Sequence, residues 1–170
     1  HLPLFKKYRY RLVGNYYYLC QLTNNKNMDI NVIVKEAHSG VAYLVIILLL
    51  IASLNAIIAL ATKREFVERD RKIGLFALIF SHIQLLLGLI LYFVSPLVVS
   101  LGSAMKDSTL RLYALEHPLV NIIAIVLITI GWSKHKKIAD GNAKFKPFAI
   151  FYTLGLILIL SRIPWAVWFA

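Results

Sequence analysis

Cysteine is nearly missing from this chain of 170 residues, and Cys20 alone cannot form an internal disulfide. No C-x-x-C pair is available to a metal, and no C-x-x-C-H to covalent haem attachment. With only two methionines, Met28 and Met105, a thioether path for copper is weak. Neither G-x-x-x-x-G-K-[ST] nor G-x-G-x-x-G occurs, so the usual phosphate cradles of nucleotide enzymes are excluded. No internal repeat is present, which argues against a transporter built from duplicated halves. Charge is scarce as well: 16% of residues, against about a quarter in soluble domains.

What the chain has in excess is apolar residues, 59% of the total, with a mean hydropathy of +0.71. They are gathered into four runs: VAYLVIILLLIASLNAIIALA (41–61), IGLFALIFSHIQLLLGLILYFV (73–94), LYALEHPLVNIIAIVLITIGW (112–132) and PFAIFYTLGLILILSRIPWAVWF (147–169). Each is long enough to cross a hydrocarbon core as an α-helix, which takes about 20 residues. The expected fold is all-α, an integral-membrane four-helix up-and-down bundle formed by residues 28–170.

The net charge of +11 invites a nucleic-acid reading, but its placement speaks against one. TKREFVERDRK (62–72) and SKHKKIADGNAKFK (133–146) hold five Lys/Arg each, whereas SPLVVSLGSAMKDSTLR between the second and third runs holds only Lys106 and Arg111. By the positive-inside rule the two basic loops face the cytoplasm, and both termini lie on the outer side. Residues 1–27, HLPLFKKYRYRLVGNYYYLCQLTNNKN, contain no acid and lack the apolar core and cleavage site of a signal peptide. They read as an extension upstream of a start at Met28, or else as a basic, aromatic arm at the membrane surface. Asp29 is a candidate cap for the first helix and Asp107-Ser108 for the third. Pro147 suits the first turn of the fourth.

Ionisable groups are costly in lipid and normally turn toward the bundle interior. The runs and their edges hold His38, His82, Glu116, His117 and Arg162. At about 1.5 Å per residue, His82 falls near mid-membrane, His117 and Arg162 in the outer half, and His38 at the outer edge. At about 100° per residue, Tyr113, Asn121, Ala124, Ile128 and Gly131 share a face with His117. Ala42, Leu49, Ala52 and Ala56 share one with His38. Such small residues leave room for a flat ring, and they equally suit plain helix packing.

Three histidines on three runs can supply the two axial imidazoles of haem b. His82 with His117 is the preferred pair, both lying within the hydrocarbon, and His38 with His117 is the alternative. Glu116 and Arg162 form a structural ion pair across the third and fourth helices, or else Arg162 serves a haem propionate and Glu116 accepts protons. Pro118 lacks the N–H that would bond Ala114, so a kink that frees that carbonyl and aims His117 into the bundle is expected.

Taken together, AHSGVAYLVIILLL, FSHIQLLLGLILYFVSP, AMKDSTLRLYALEHPLVNIIAIVLITIG and SRIPW resemble a group of small bacterial four-helix membrane proteins labelled cytochrome b-like. The most specific pieces are His38-Ser39-Gly40, His82-Ile83-Gln84, Glu116-His117-Pro118 and Arg162-Ile163-Pro164-Trp165. The resemblance implies a haem-binding electron-transfer protein of the bacterial inner membrane, and the partner expected for such a carrier is quinone or another respiratory membrane protein. The competing expectation is a non-redox accessory or assembly subunit, whose histidines merely bond across helices.

Overall fold

The computed structural model describes residues 30–95, 98 and 100–165, and every regular element among them is helical. The expectations for residues 1–27, for an Asp29 cap and for 166–169 lie outside the described residues. Four helices are long and apolar enough to cross a membrane: α1 (Ile30–Ala61), α2 (Glu68–Val94), α3 (Ser108–His135) and α4 (Asn142–Ser161). At 1.5 Å per residue they are about 48, 40, 42 and 30 Å long, against a hydrocarbon core of about 30 Å. α1 therefore begins well before the apolar run at 41, because its first turns need only water or headgroups around them. Before α3, the Asp107 carboxylate accepts from the N–H groups of Thr109 (2.8 Å) and Leu110 (2.9 Å), the cap expected there.

α4 ends at Ser161, short of the 169 expected from hydropathy. Arg162 leaves the helix at φ −126°, ψ 20°. Pro164 has no N–H for the Leu160 carbonyl and disfavours helical geometry at Ile163. The orphaned Leu160 carbonyl accepts instead from the Trp165 indole Nε1 at 3.2 Å.

α1 packs on α2 and α4, and α3 packs on the same two, so α1 and α3 face each other across an up-and-down bundle. The end carrying the basic loops is packed solid. Ala52, Ala56 and Ala59 of α1, Ala77 of α2, Ala124 and Ile128 of α3 and Tyr152 of α4 are all buried there. Close approach of α3 and α4 depends on glycine: a Cβ at Gly155 would lie 2.8 Å from Ile128 Cγ1, and one at Gly131 2.8 Å from Phe151 Cβ. A Cβ at Gly74 of α2 would overlap the Phe148 ring.

The first basic loop is pinned as well. Lys63 (φ 54°) ends α1 in a left-handed turn, with the Arg64 N–H on the Ala59 carbonyl at 3.0 Å. Arg64 then reaches Asp70 with two bonds of 2.8 Å, and Asn55 donates to the same carboxylate at 2.9 Å. Asn142 at the start of α4 donates to the carbonyls of Ala59 (3.0 Å) and Arg64 (2.8 Å), which ties the two basic loops together.

Candidate functional site

The opposite half of the bundle is open. A cavity of about 440 Å³ runs there between the diagonal helices α1 and α3, walled mainly by apolar side chains. Two imidazoles face each other across it. His38 of α1 and His117 of α3 have ring centres 6.3 Å apart and planes inclined at 73°.

His117 arrives there through a local irregularity. Leu112–Glu116 forms a wide π turn, and the His117 N–H bonds the Leu112 carbonyl five residues back. Pro118 follows at once, and the Ala114 carbonyl it cannot serve accepts from the Tyr92 hydroxyl of α2 at 3.1 Å. The freed carbonyl expected from sequence is thus present, and a neighbouring helix satisfies it.

The His117 ring is held in one tautomer. Its Nδ1 lies 2.7 Å from the Arg162 carbonyl oxygen. A carbonyl only accepts, so Nδ1 carries the proton and Nε2 keeps its lone pair. Asn121, one turn along, donates to the His117 carbonyl at 2.6 Å.

His38 is seated differently. The Gln84 amide donates to the His38 carbonyl at 2.9 Å, and the same nitrogen lies 3.2 and 3.3 Å from the two ring nitrogens. Gly88 makes room for the ring, since a Cβ there would stand 3.1 Å from His38 Cε1. Gln84 Oε1 is buried with no hydrogen-bond partner, a lone acceptor in the wall.

The preferred histidine pair, His82 with His117, is not brought together. His82 turns to the outside of the bundle, where Nδ1 bonds the Leu78 carbonyl at 2.8 Å and Nε2 lies 3.5 Å from Thr129 Oγ1. Thr129 is twelve residues along α3 from His117, about 18 Å at helical rise. No single metal ion spans that gap. The alternative pair, His38 with His117, is the one that meets. Helical angle and depth from sequence placed each residue on its own helix, but not the crossing of one helix over another.

Glu116 and Arg162 do pair, at 3.5 Å, but Arg111 holds the same carboxylate more closely, at 2.8 Å. Arg111 was read only as part of a connecting loop. Five residues apart, the two side chains would lie about 140° round a regular α-helix, and the wide π turn at Leu112–Glu116 is what brings them together. Arg162 acts on the site through its backbone carbonyl, and its guanidinium is outside the cavity wall. The faces inferred from helical angle hold up better. Tyr113 and Asn121 line the cavity beside His117, and Ala42 lines it beside His38. Farther along those faces Ala124, Ile128, Leu49 and Ala52 are buried in the packed half.

Among the described residues no group of three or more His, Cys, Asp and Glu side chains converges. Two imidazoles, one with a fixed lone pair, suit a metal that brings its remaining ligands with it. Comparison with known protein families, with curated proteins and with solved structures returns no match.

Proposed function

We propose that the chain is a b-type cytochrome of the bacterial inner membrane, holding haem b between His38 and His117 and carrying electrons in or near the quinone pool. The observation behind this reading is the pair of imidazoles set 6.3 Å apart across an apolar cavity. His38 and His117 would supply the two imidazoles that hold the haem iron. The residues present fit the group: apolar walls, a glycine where the His38 ring needs space, and His117 already in the ligating tautomer. Bound there, haem b supplies a one-electron couple.

The rest falls to the chain's own side chains. The Arg162 carbonyl orients His117 and makes its Nε2 a better donor. Gln84 fixes the α1 backbone beneath His38. Arg111 and Arg162 hold the Glu116 side chain close to the site. In the same reading the two basic loops face the cytoplasm.

The test is an absorption spectrum of the purified protein, reduced with dithionite. The wild type is expected to show a b-type spectrum. His38→Ala and His117→Ala should each lose it, and His82→Ala should keep it. A preparation that stays colourless after addition of haemin rejects the proposal.

One observation favours a second reading. His82 and Thr129 set a polar pair on the outer flank of α2 and α3, near the middle of α2, where lipid gives it no partner. An accessory subunit of a larger membrane complex would bury that pair against another helix. In that case His82→Ala weakens co-purification of the partner, and no variant changes colour.

A further inference from the structure

The cavity differs in chemistry from one end to the other. Its deep wall is mainly apolar, with Val45, Ile122 and Ile159 beside Ser81 and Asn121, while Asn31 and Lys35 line it toward the start of α1. Lys35 stands three residues before His38, hence on the same helix face and about 4.5 Å nearer the helix start. α1 is much longer than a hydrocarbon core is thick, so Lys35 belongs near the membrane rim, where a lysine stem lies along apolar surface with its ammonium in polar surroundings.

Two other cations near this end are engaged elsewhere, and Lys106 of the α2–α3 connection is not part of the cavity wall. Arg111 and Arg162 both go to Glu116, outside the cavity wall. Among the described residues Lys35 lines the cavity and takes part in no ion pair. Glu36, about 100° round the helix, is not part of the wall. An apolar chamber with two imidazoles midway and one ammonium at its rim matches a flat apolar ligand that carries acid groups on one edge.

We infer that Lys35 is the carboxylate-binding residue of this cavity, receiving the propionates of the haem proposed above. The inference rests on the haem reading, and it gives Lys35 the part that sequence had offered to Arg162.

The full chain is loaded either with iron protoporphyrin IX or with its dimethyl ester, which has no acid groups. Transfer to apomyoglobin is then followed by absorbance. Lys35→Gln should release iron protoporphyrin about fivefold faster than the wild type, the size expected for one partly exposed charge pair. Lys35→Arg should behave as the wild type, and the ester should leave the wild type and Lys35→Gln at equal rates. Equal release of the free acid from all three proteins overturns the assignment. So does an acceleration that is just as large with the ester, since Lys35 would then act through packing alone. A wild type that takes up neither porphyrin overturns the haem reading itself, and the assignment with it.

Discussion

Asp70 shows how much a single residue's meaning depends on what surrounds it. In sequence it is one acid in a charged loop that reads as a solvated connection. In the structure its side chain is fully buried, and Arg64, Asn55 and the Val67 N–H all bond it. The Asp70 carboxylate, through its bonds and its charge, also holds the Arg64 guanidinium above its ordinary pKa. Removing one partner of such a group leaves the other's donors unanswered. Asp70→Ala should therefore cost about 3 kcal/mol, read as a lower denaturant midpoint in detergent, with the spectrum of any bound cofactor unchanged in shape. The clue was available in Asn55, an amide deep in the first apolar run that needs a polar neighbour. The histidines teach the same lesson in reverse. His38, His82 and His117 look alike as intramembrane imidazoles, yet two face a cavity and one faces outward.

At the scale of the helix, two prolines play matching parts. Pro118 and Pro164 each leave a carbonyl without its helical N–H, and each carbonyl is taken by the polar tip of an aromatic side chain, Tyr92 or Trp165. The consequences differ with position. Pro118 sits inside α3 and is absorbed by a π turn that presents His117, whereas Pro164 comes after the last turn of α4 and marks its end. The first case predicts a coupling. Tyr92→Phe should destabilise the protein by about 1 kcal/mol, because the Ala114 carbonyl loses its partner. In a Pro118→Ala background the helix regains an N–H, and the same Tyr92→Phe change should cost little. A double-mutant cycle on unfolding free energy checks this; equal costs in both backgrounds would mean that Tyr92 serves something other than the freed carbonyl. The freed carbonyl was legible from Pro118 alone. The wide turn around it and the hydroxyl that caps it were not, since both depend on where α2 lies.

The whole molecule is a bundle with unequal ends. At one end alanines and glycines let four helices close on a set of aromatic side chains. At the other, α1 and α3 stand apart around a cavity spanned by two histidines. Both basic loops lie at the closed end, bridged by Asn142, so the charge asymmetry and the packing asymmetry run the same way. With the closed end in the cytoplasm, a cysteine at Ala139 should resist a membrane-impermeant maleimide in intact cells, and one at Ser103 should react, both in a Cys20→Ser background. The reverse pattern would invert the orientation.

Sequence alone determined that there are four apolar helices, their alternating direction and the gathering of positive charge at one end. Hydropathy, loop length and charge are local properties, and a bilayer converts each into position. It also determined which residues share a face with His38 and with His117, because helical angle is local too. Only the tertiary structure decided which histidines meet. That depends on α1 and α3 being diagonal and on α3 and α4 closing at Gly131 and Gly155. It depends also on the Arg162 carbonyl reaching back to His117, and each of these is a contact between helices that no single run of residues contains.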